Sequence, residues 1–156
     1  MRKINVLEKV NVVSIQLVKE KSLAYGSKRI DCPGDAAIIA EGFLAGVDRE
    51  HFVVICLDTK NNVNALNTVS VGTLNSSLVH PREVFKAAIL ANSNGIILTH
   101  NHPSGDPTPS REDVEITKRL VEAGTIMGIE VMDHVVLGDS GRYVSLKERG
   151  LMEKNS

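Results

Sequence analysis

Tryptophan is absent from this chain, and aromatic residues of all kinds make up only 3% of its 156 positions. A core built without large rings rests on Val, Ile, Leu and Ala. Cysteine is almost as scarce: Cys32 and Cys56 are too few for a disulfide framework and lack a CxxC spacing. Cys56, inside the run FVVICL, reads as a small buried hydrophobe, and Cys32 as a free thiol near a turn. Both fit a reduced, cytoplasmic setting. No apolar run approaches the roughly eighteen residues that a membrane-spanning helix needs. The start, MRKINVLEKVNVV, carries basic residues but no apolar stretch followed by a small-residue cleavage site. The expectation is a soluble, cytoplasmic protein with no membrane partner. Charge of one sign is lacking too: the formal net charge of -1 supplies no global pull toward nucleic acid.

What remains is ordinary in amount, with 42% apolar and 24% charged residues, enough for one globular domain with a real core. Val10 to Val18 (VNVVSIQLV) alternates in part and is rich in β-branched residues, which predicts an edge strand. Lys19 to Lys28 is polar and basic and reads as a loop or arm. From Pro33, the residues Ala36, Ile39, Ala40, Phe43 and Leu44 recur at helical spacing, with Gly46 as the stop. HFVVICLDT is a strand buried on both faces, Lys60-Asn61-Asn62 a turn, and VNALNTVSVG the second strand of a hairpin. PREVFKAAILAN predicts a helix opening at Pro81. GIILT predicts a central strand that delivers the chain to His100. Ser110 to Met127 reads as the longest helix, GIEVMDHVVLG and RYVSL as strands around an Asp139-Ser140-Gly141 turn, and Ser145 to Gly150 as a closing helical turn. The alternation predicts an α/β fold, a mixed sheet with helices on its faces. Residues 1–32 form an N-terminal strand and arm, 33–152 the domain, and 153–156 a frayed tail.

One stretch carries chemistry: THNHPSGDPTPSRED, Thr99 to Asp113. His100 and His102 follow a predicted strand, where residues i and i+2 point to one side, so both imidazoles can converge on an ion while Asn101 points away. Pro103 to Pro109 holds three prolines, Gly105 and Asp106, a composition for a rigid turn. That turn can bring Asp113, in the first turn of the next helix, back to the histidines. Two imidazoles and a carboxylate are ligands zinc accepts, with a fourth position left for water. The plain reading stands beside this one. Ser110 and Asp113 have the spacing of a capping pair, and an acidic residue suits a helix N-terminus.

The pattern H-x-H-P, then Ser110, then Asp113, resembles the JAMM (MPN) metalloprotease motif, with His100, His102, Ser110 and Asp113 at its four positions. HNHPSGDPTPSREDVEIT, preceded by PREVFKAAI and followed by DHVVLG, is similar more narrowly to the RadC-like branch. The likeness spans about Pro33 to Leu151. It implies a JAB/MPN fold, akin to cytidine deaminases, with zinc held by His100, His102 and Asp113. It also implies an upstream glutamate at a strand start. Glu50, heading EHFVVICLD, matches; Glu41 is the runner-up but falls in a predicted helix.

On that resemblance, Glu50 and Ser110 are catalytic residues of a zinc-dependent hydrolase of peptide or isopeptide bonds, acting on a peptide or protein substrate. The alternatives are a DNA-repair-associated accessory protein, after the label the RadC-like family carries, or a non-catalytic MPN scaffold. Longer relatives carry an N-terminal helix-hairpin-helix region for which this chain has no room, which argues against direct DNA binding. The deaminase signature H-x-E with P-C-x-x-C is absent. An exposed strand would allow a homodimer. His51, His80, Asp106, Asp133 and His134 are not expected to be ligands.

Overall fold

The computed structural model describes residues 7–26, 29–72 and 79–153. Its element order is α1 (Pro33–Phe43), β1 (His51–Leu57), β2 (Val63–Val71), α2 (Pro81–Leu90), β3 (Gly95–Asn101), α3 (Arg111–Met127), β4 (Glu130–Leu137) and β5 (Tyr143–Ser145). The strands form one sheet in the order β2-β1-β3-β4-β5, and only the β3–β4 pair is parallel. This is the mixed α/β sheet that the alternation of elements implies, with β3 at its centre.

Continuous apolar runs make β1 and β3 central because both of their faces must be covered. Val53, Ile55, Leu57 and Ile97 face α1, packing against Ala36, Ile39 and Ala40. The alternate residues Phe52, Val54, Cys56, Ile96 and Leu98 face α2 and α3, meeting Val84, Phe85, Ala88, Ile116 and Leu120. The molecule is therefore three layers, with α1 on one side and α2 and α3 on the other. Each of the larger ones, Val, Ile, Leu or Phe, stabilises the fold by about 1.5–3 kcal/mol relative to full exposure. Small residues on α1 allow it to lie close to the sheet.

β4 contains a bulge. Ile96 pairs with Val131 but Ile97 pairs with Asp133, so Met132 is an extra residue. The phase of the strand changes there: Val131 faces α3 with Ile96, whereas from Asp133 onward odd positions face α1, as Val135 and Leu137 do. His134, paired beside Leu98, is turned to the α3 side as a consequence. The N–H of His134 is taken by Oδ1 of Asp133 at 2.7 Å, and Oδ2 of Asp133 accepts from Ser145 Oγ at 2.6 Å.

The expected edge strand at Val10 to Val18 is not formed. Residues 7–22 have no regular secondary structure, and Val10, Val12, Val13, Ile15 and Val18 are all exposed. β propensity needs a partner ladder to be expressed, and the nearest bridge from this arm to the sheet is at Arg29 and Asn62. Among the described residues, the arm docks from Lys21 onward: Lys21 lies over the Phe43 ring, and Leu23 and Tyr25 pack against the α1 side of the core. Tail residues 154–156, and residues 27 and 28 of the basic loop, lie outside the described residues.

Candidate metal centre

Near its end, β3 turns His100 to the α3 side of the sheet, where the ring is completely buried and stacks on Phe52, its cross-strand neighbour on β1. The backbone stays extended one step further, because His102 N–H donates to Leu137 O at 2.8 Å and continues the ladder with β4. That step puts His102 on the same side as His100, as i, i+2 spacing requires. Asn101 points away: its Oδ1 accepts from His51 N–H at 2.8 Å and its Nδ2 donates to Arg49 O at 3.0 Å. This clasp fixes the entry to β1, where Glu50 sits. Continuing the Phe52–His100 register places Glu50 opposite His102 and on Phe52's side of the sheet.

The proline-rich turn then reverses the chain. Gly105 adopts φ +88°, a left-handed conformation that other residues rarely take, and its N–H returns to His102 O at 2.9 Å. Asp106 holds the turn with its side chain, accepting from Thr108 N–H at 2.9 Å and from Thr108 Oγ1 at 2.7 Å. The Asp106 carbonyl lies 2.8 Å from His102 Nδ1. α3 opens with Ser110 as N-cap, its Oγ accepting from Asp113 N–H at 3.1 Å while Asp113 Oδ2 accepts from Ser110 N–H at 2.8 Å. The capping pair is real, and it also aims the carboxylate. Asp113 Oδ1 is 3.3 Å from His100 Nε2, and Oδ2 is 3.2 Å from His102 Nε2.

The donor set fits a cation. A carbonyl can only accept, so His102 Nδ1 carries a hydrogen and neutral His102 presents a bare lone pair at Nε2. That atom is 2.9 Å from His100 Nε2. Ligands at ~2.0–2.1 Å from a tetrahedral zinc lie about 3.3 Å from one another. The separations of 2.9, 3.2 and 3.3 Å already approach that geometry. Lone pairs and a carboxylate gathered where water is largely excluded repel unless a proton or a metal ion sits among them. His100, His102 and Asp113 are the one such group of three among the described residues.

The electrostatics agree. Burial alone would raise the Asp113 carboxyl, but the facing imidazoles of His100 and His102, which attract it whenever a proton sits between them, and the N–H of Ser110 hold it well below the ordinary range. The Asp113 hydrogen bond raises the imidazole of His102 above its ordinary 6.5 despite partial burial, with Asp106 O and the charge of Glu50 adding to the effect. Burial, followed by the neighbouring His100, pushes His134 well below 6.5, so its ring is neutral.

A family model for the RadC-like JAB domain matches residues 30–151. The chain belongs to the RadC-like JAB domain family. It is 59% identical over 123 residues to a UPF0758 protein of Desulfitobacterium hafniense, which covers 79% of this chain and 54% of that relative. It is 51% identical over 143 residues to one from Rubrobacter xylanophilus, covering 90% and 62%. Over 104 residues it is 65% identical to one from Caldanaerobacter subterraneus, covering 67% and 44%. The chain thus spans about half the length of most of these curated relatives.

Within this RadC-like JAB domain, the three expected ligands come together. Glu50 lines a cleft of about 500 Å³ with Asp48, Arg49, Gly72 and Pro103. A larger groove, about 730 Å³, lies along α3 and the start of β4, lined by residues such as Val121, Ile126 and Met152, and includes none of the three ligands. Glu41 is on α1, which packs against the opposite face of the sheet from His100. His51 contacts Arg49 O and His80 caps α2, so neither joins the group. His134, for which the sequence left a structural or hydrogen-bonding role open beside substrate contact, lies against the group, together with Thr117, which sequence reasoning missed. His134 Nε2 is 2.7 Å from His100 Nδ1, and Thr117 Oγ1 is 2.5 Å from His134 Nδ1. The bulge hides His134 from a period-two reading of β4. Thr117, a polar residue on the apolar face of α3, was the available signal. No described helix is long and apolar enough to cross a membrane.

Proposed function

We propose that this domain is a zinc-dependent hydrolase of peptide or isopeptide bonds. The observation that carries this reading is the convergence of His100 Nε2, His102 Nε2 and the Asp113 carboxylate at 2.9–3.3 Å. Two nitrogens and an oxygen suit zinc, and three protein ligands leave a position open, as catalytic sites do. Bound there, zinc would supply a water acidified to a pKa of about 7 and a Lewis acid for the scissile carbonyl.

Amide hydrolysis also requires a proton to move from the attacking water to the leaving amine. We assign that transfer to Glu50; continuing the register past Phe52 and His100 brings it across from His102, which supports this reading. Its backbone is fixed by Gly72 N–H on its own carbonyl, at 2.8 Å, and by the Asn101 clasp on Arg49 and His51. Ser110 uses its oxygen to accept from Asp113 N–H, so its own hydrogen is available to the oxygen on which negative charge develops. Loss of one such donor in another enzyme costs about 2.7–4 kcal/mol.

Metal analysis of the purified protein should find about one zinc per chain, and His102→Ala should lose it. Zinc-loaded protein screened against peptide libraries and ubiquitin-like conjugates should show cleavage that Glu50→Gln abolishes while retaining the metal. Full metal occupancy in His102→Ala would sink the ligand assignment, and activity surviving in Glu50→Gln would remove Glu50 as the base.

A further inference from the structure

We propose that His134, held by Thr117, is a positioning residue that fixes the ring tautomer of His100, and that the bulge in β4 is what delivers it. The inference rests on the metal reading above but concerns residues that reading does not use. Hydrogen positions follow from the acceptors along the chain. Thr117 Oγ1 is 2.6 Å from the Asp113 carbonyl oxygen and 2.5 Å from His134 Nδ1. Two oxygens at that separation need a hydrogen between them, and a carbonyl has none to give. The single hydroxyl hydrogen of Thr117 is therefore committed to Asp113 O, and Oγ1 can only accept from His134. His134 thus carries its hydrogen on Nδ1 and has a lone pair on Nε2.

The next contact is then determined. His134 Nε2 lies 2.7 Å from His100 Nδ1, and one hydrogen must join them. With His134 Nε2 bare, that hydrogen belongs to His100 Nδ1, which leaves His100 Nε2 bare and aimed at His102 and Asp113. The opposite tautomer would put a hydrogen where a metal ion has to bind. His102 reaches the same state by a simpler route, donating Nδ1–H to the Asp106 carbonyl. His100 has no backbone carbonyl as partner at Nδ1, so the fold supplies another ring. Phe52 packs against both, with centroids 6.1 Å from His100 and 5.5 Å from His134, and holds them in place.

The bulge makes this placement available. Without Met132 as the extra residue, position 134 would face α1, on the wrong side of the sheet. A bulge strands backbone groups, and Asp133 answers this by accepting His134 N–H at 2.7 Å, while the same oxygen ties in the segment after β5 by accepting Lys147 N–H at 3.1 Å. The dipeptide divides its labour: Asp133 seals the bulge and His134 serves the ligand. Partners that orient a ligating histidine typically change metal affinity by about 10–100-fold when removed.

The test uses ¹⁵N-labelled full chain stripped of metal, at one alkaline pH where the rings are neutral. Long-range ¹H–¹⁵N correlation spectra should show His100 and His134 both with hydrogen on Nδ1. In Thr117→Val, His134 loses its acceptor, His100 should become a mixture of tautomers, and chelator competition should show zinc binding weakened about 10–100-fold. Thr117→Ser should restore both readouts. A wild-type His100 with hydrogen on Nε2, or a folded Thr117→Val matching wild type in both readouts, overturns the relay. If Thr117→Val does not fold, the wild-type spectrum decides. If wild type binds no zinc, the metal reading fails, while the spectrum still tests the relay.

Discussion

Two irregular segments of this chain have opposite fates. Residues 7–22 and residues 102–110 both lack helix and strand, apart from isolated turns in the second. The first is rich in β-branched residues yet stands exposed, with Val12 at 99% and Val10 at 89% of full accessibility. The second is rich in Pro and Gly yet is tied down at nearly every step. His102 N–H reaches Leu137 O, Asp139 N–H reaches Gly105 O, and Arg142 Nη2 reaches the same Gly105 carbonyl at 2.8 Å. Local propensity pointed to order in the arm; actual partners made order in the loop. Segments gain fixed structure where their backbone groups find acceptors, and the fold provides these on the β4–β5 turn.

The most damaging way to break this contrast is to part the loop from that turn. A Cβ on Gly138 would overlap the Gly105 carbonyl and lie 2.7 Å from Pro107 Cδ. Backbone on both sides leaves no flexible side chain to yield, so Gly138→Ala should cost about 1–3 kcal/mol, as overpacking does. Denaturant melts measure that loss, and metal analysis should show reduced zinc retention because His102 and Asp106 move together. Gly42→Ala is the control. It meets open space at the end of α1, so it should be neutral or stabilising by up to ~1 kcal/mol. Equal effects at the two sites would mean that the clamp does not hold the loop.

The same contrast explains what the sequence made legible. Runs such as FVVICL and GIILT have one physical solution, burial on both faces, and β1 and β3 adopt it. His100, His102 and Asp113 could be read because a strand period, a rigid turn and a helix start are each local rules. Both interpretations of Asp113 hold, since one carboxylate caps Ser110 and faces two imidazoles. What was not legible depends on pairing over long distances. The arm's missing partner cannot be seen from VNVVSIQLV, and the phase change that turns His134 inward depends on which residue of β4 meets Ile97.

A subtler way to probe the loop is through protons, because proton and metal compete for the same atoms. In the metal-free protein, the Asp113 hydrogen bond raises His102 above 6.5. A raised folded-state value stabilises the metal-free fold below the unfolded value, and that contribution is lost as pH rises through the folded value. Asp113 behaves oppositely: held low, it contributes above its unfolded value near 3.8 and the contribution is lost only as pH falls through the lower folded value. Zinc requires His102 unprotonated, so its apparent affinity should fall as pH drops through the raised His102 value. Melting temperatures across this range should therefore diverge: the increment due to zinc grows with pH while the metal-free protein loses the His102 contribution. Parallel curves for the two forms would mean that His102 is not a ligand.

The smallest effect is expected in the arm. Truncation before Lys21 removes exposed apolar side chains that make no hydrogen bond to the sheet, while Lys21 still lies 5.4 Å over the Phe43 ring and Leu23 and Tyr25 still pack beneath. Tolerance to truncation follows burial and backbone bonding rather than position in the chain. Unfolding free energy should change by no more than about 0.5 kcal/mol, the usual range for surface changes. Zinc content and the His100 tautomer should be unchanged, because residues 7–20 supply no side chain to either core cluster. Solubility is the property that should improve, since Leu7, Val10, Val12, Val13, Ile15 and Val18 leave the surface together. A stability loss of several kcal/mol would show that the arm does find a partner in solution, and the contrast between the two segments would then disappear.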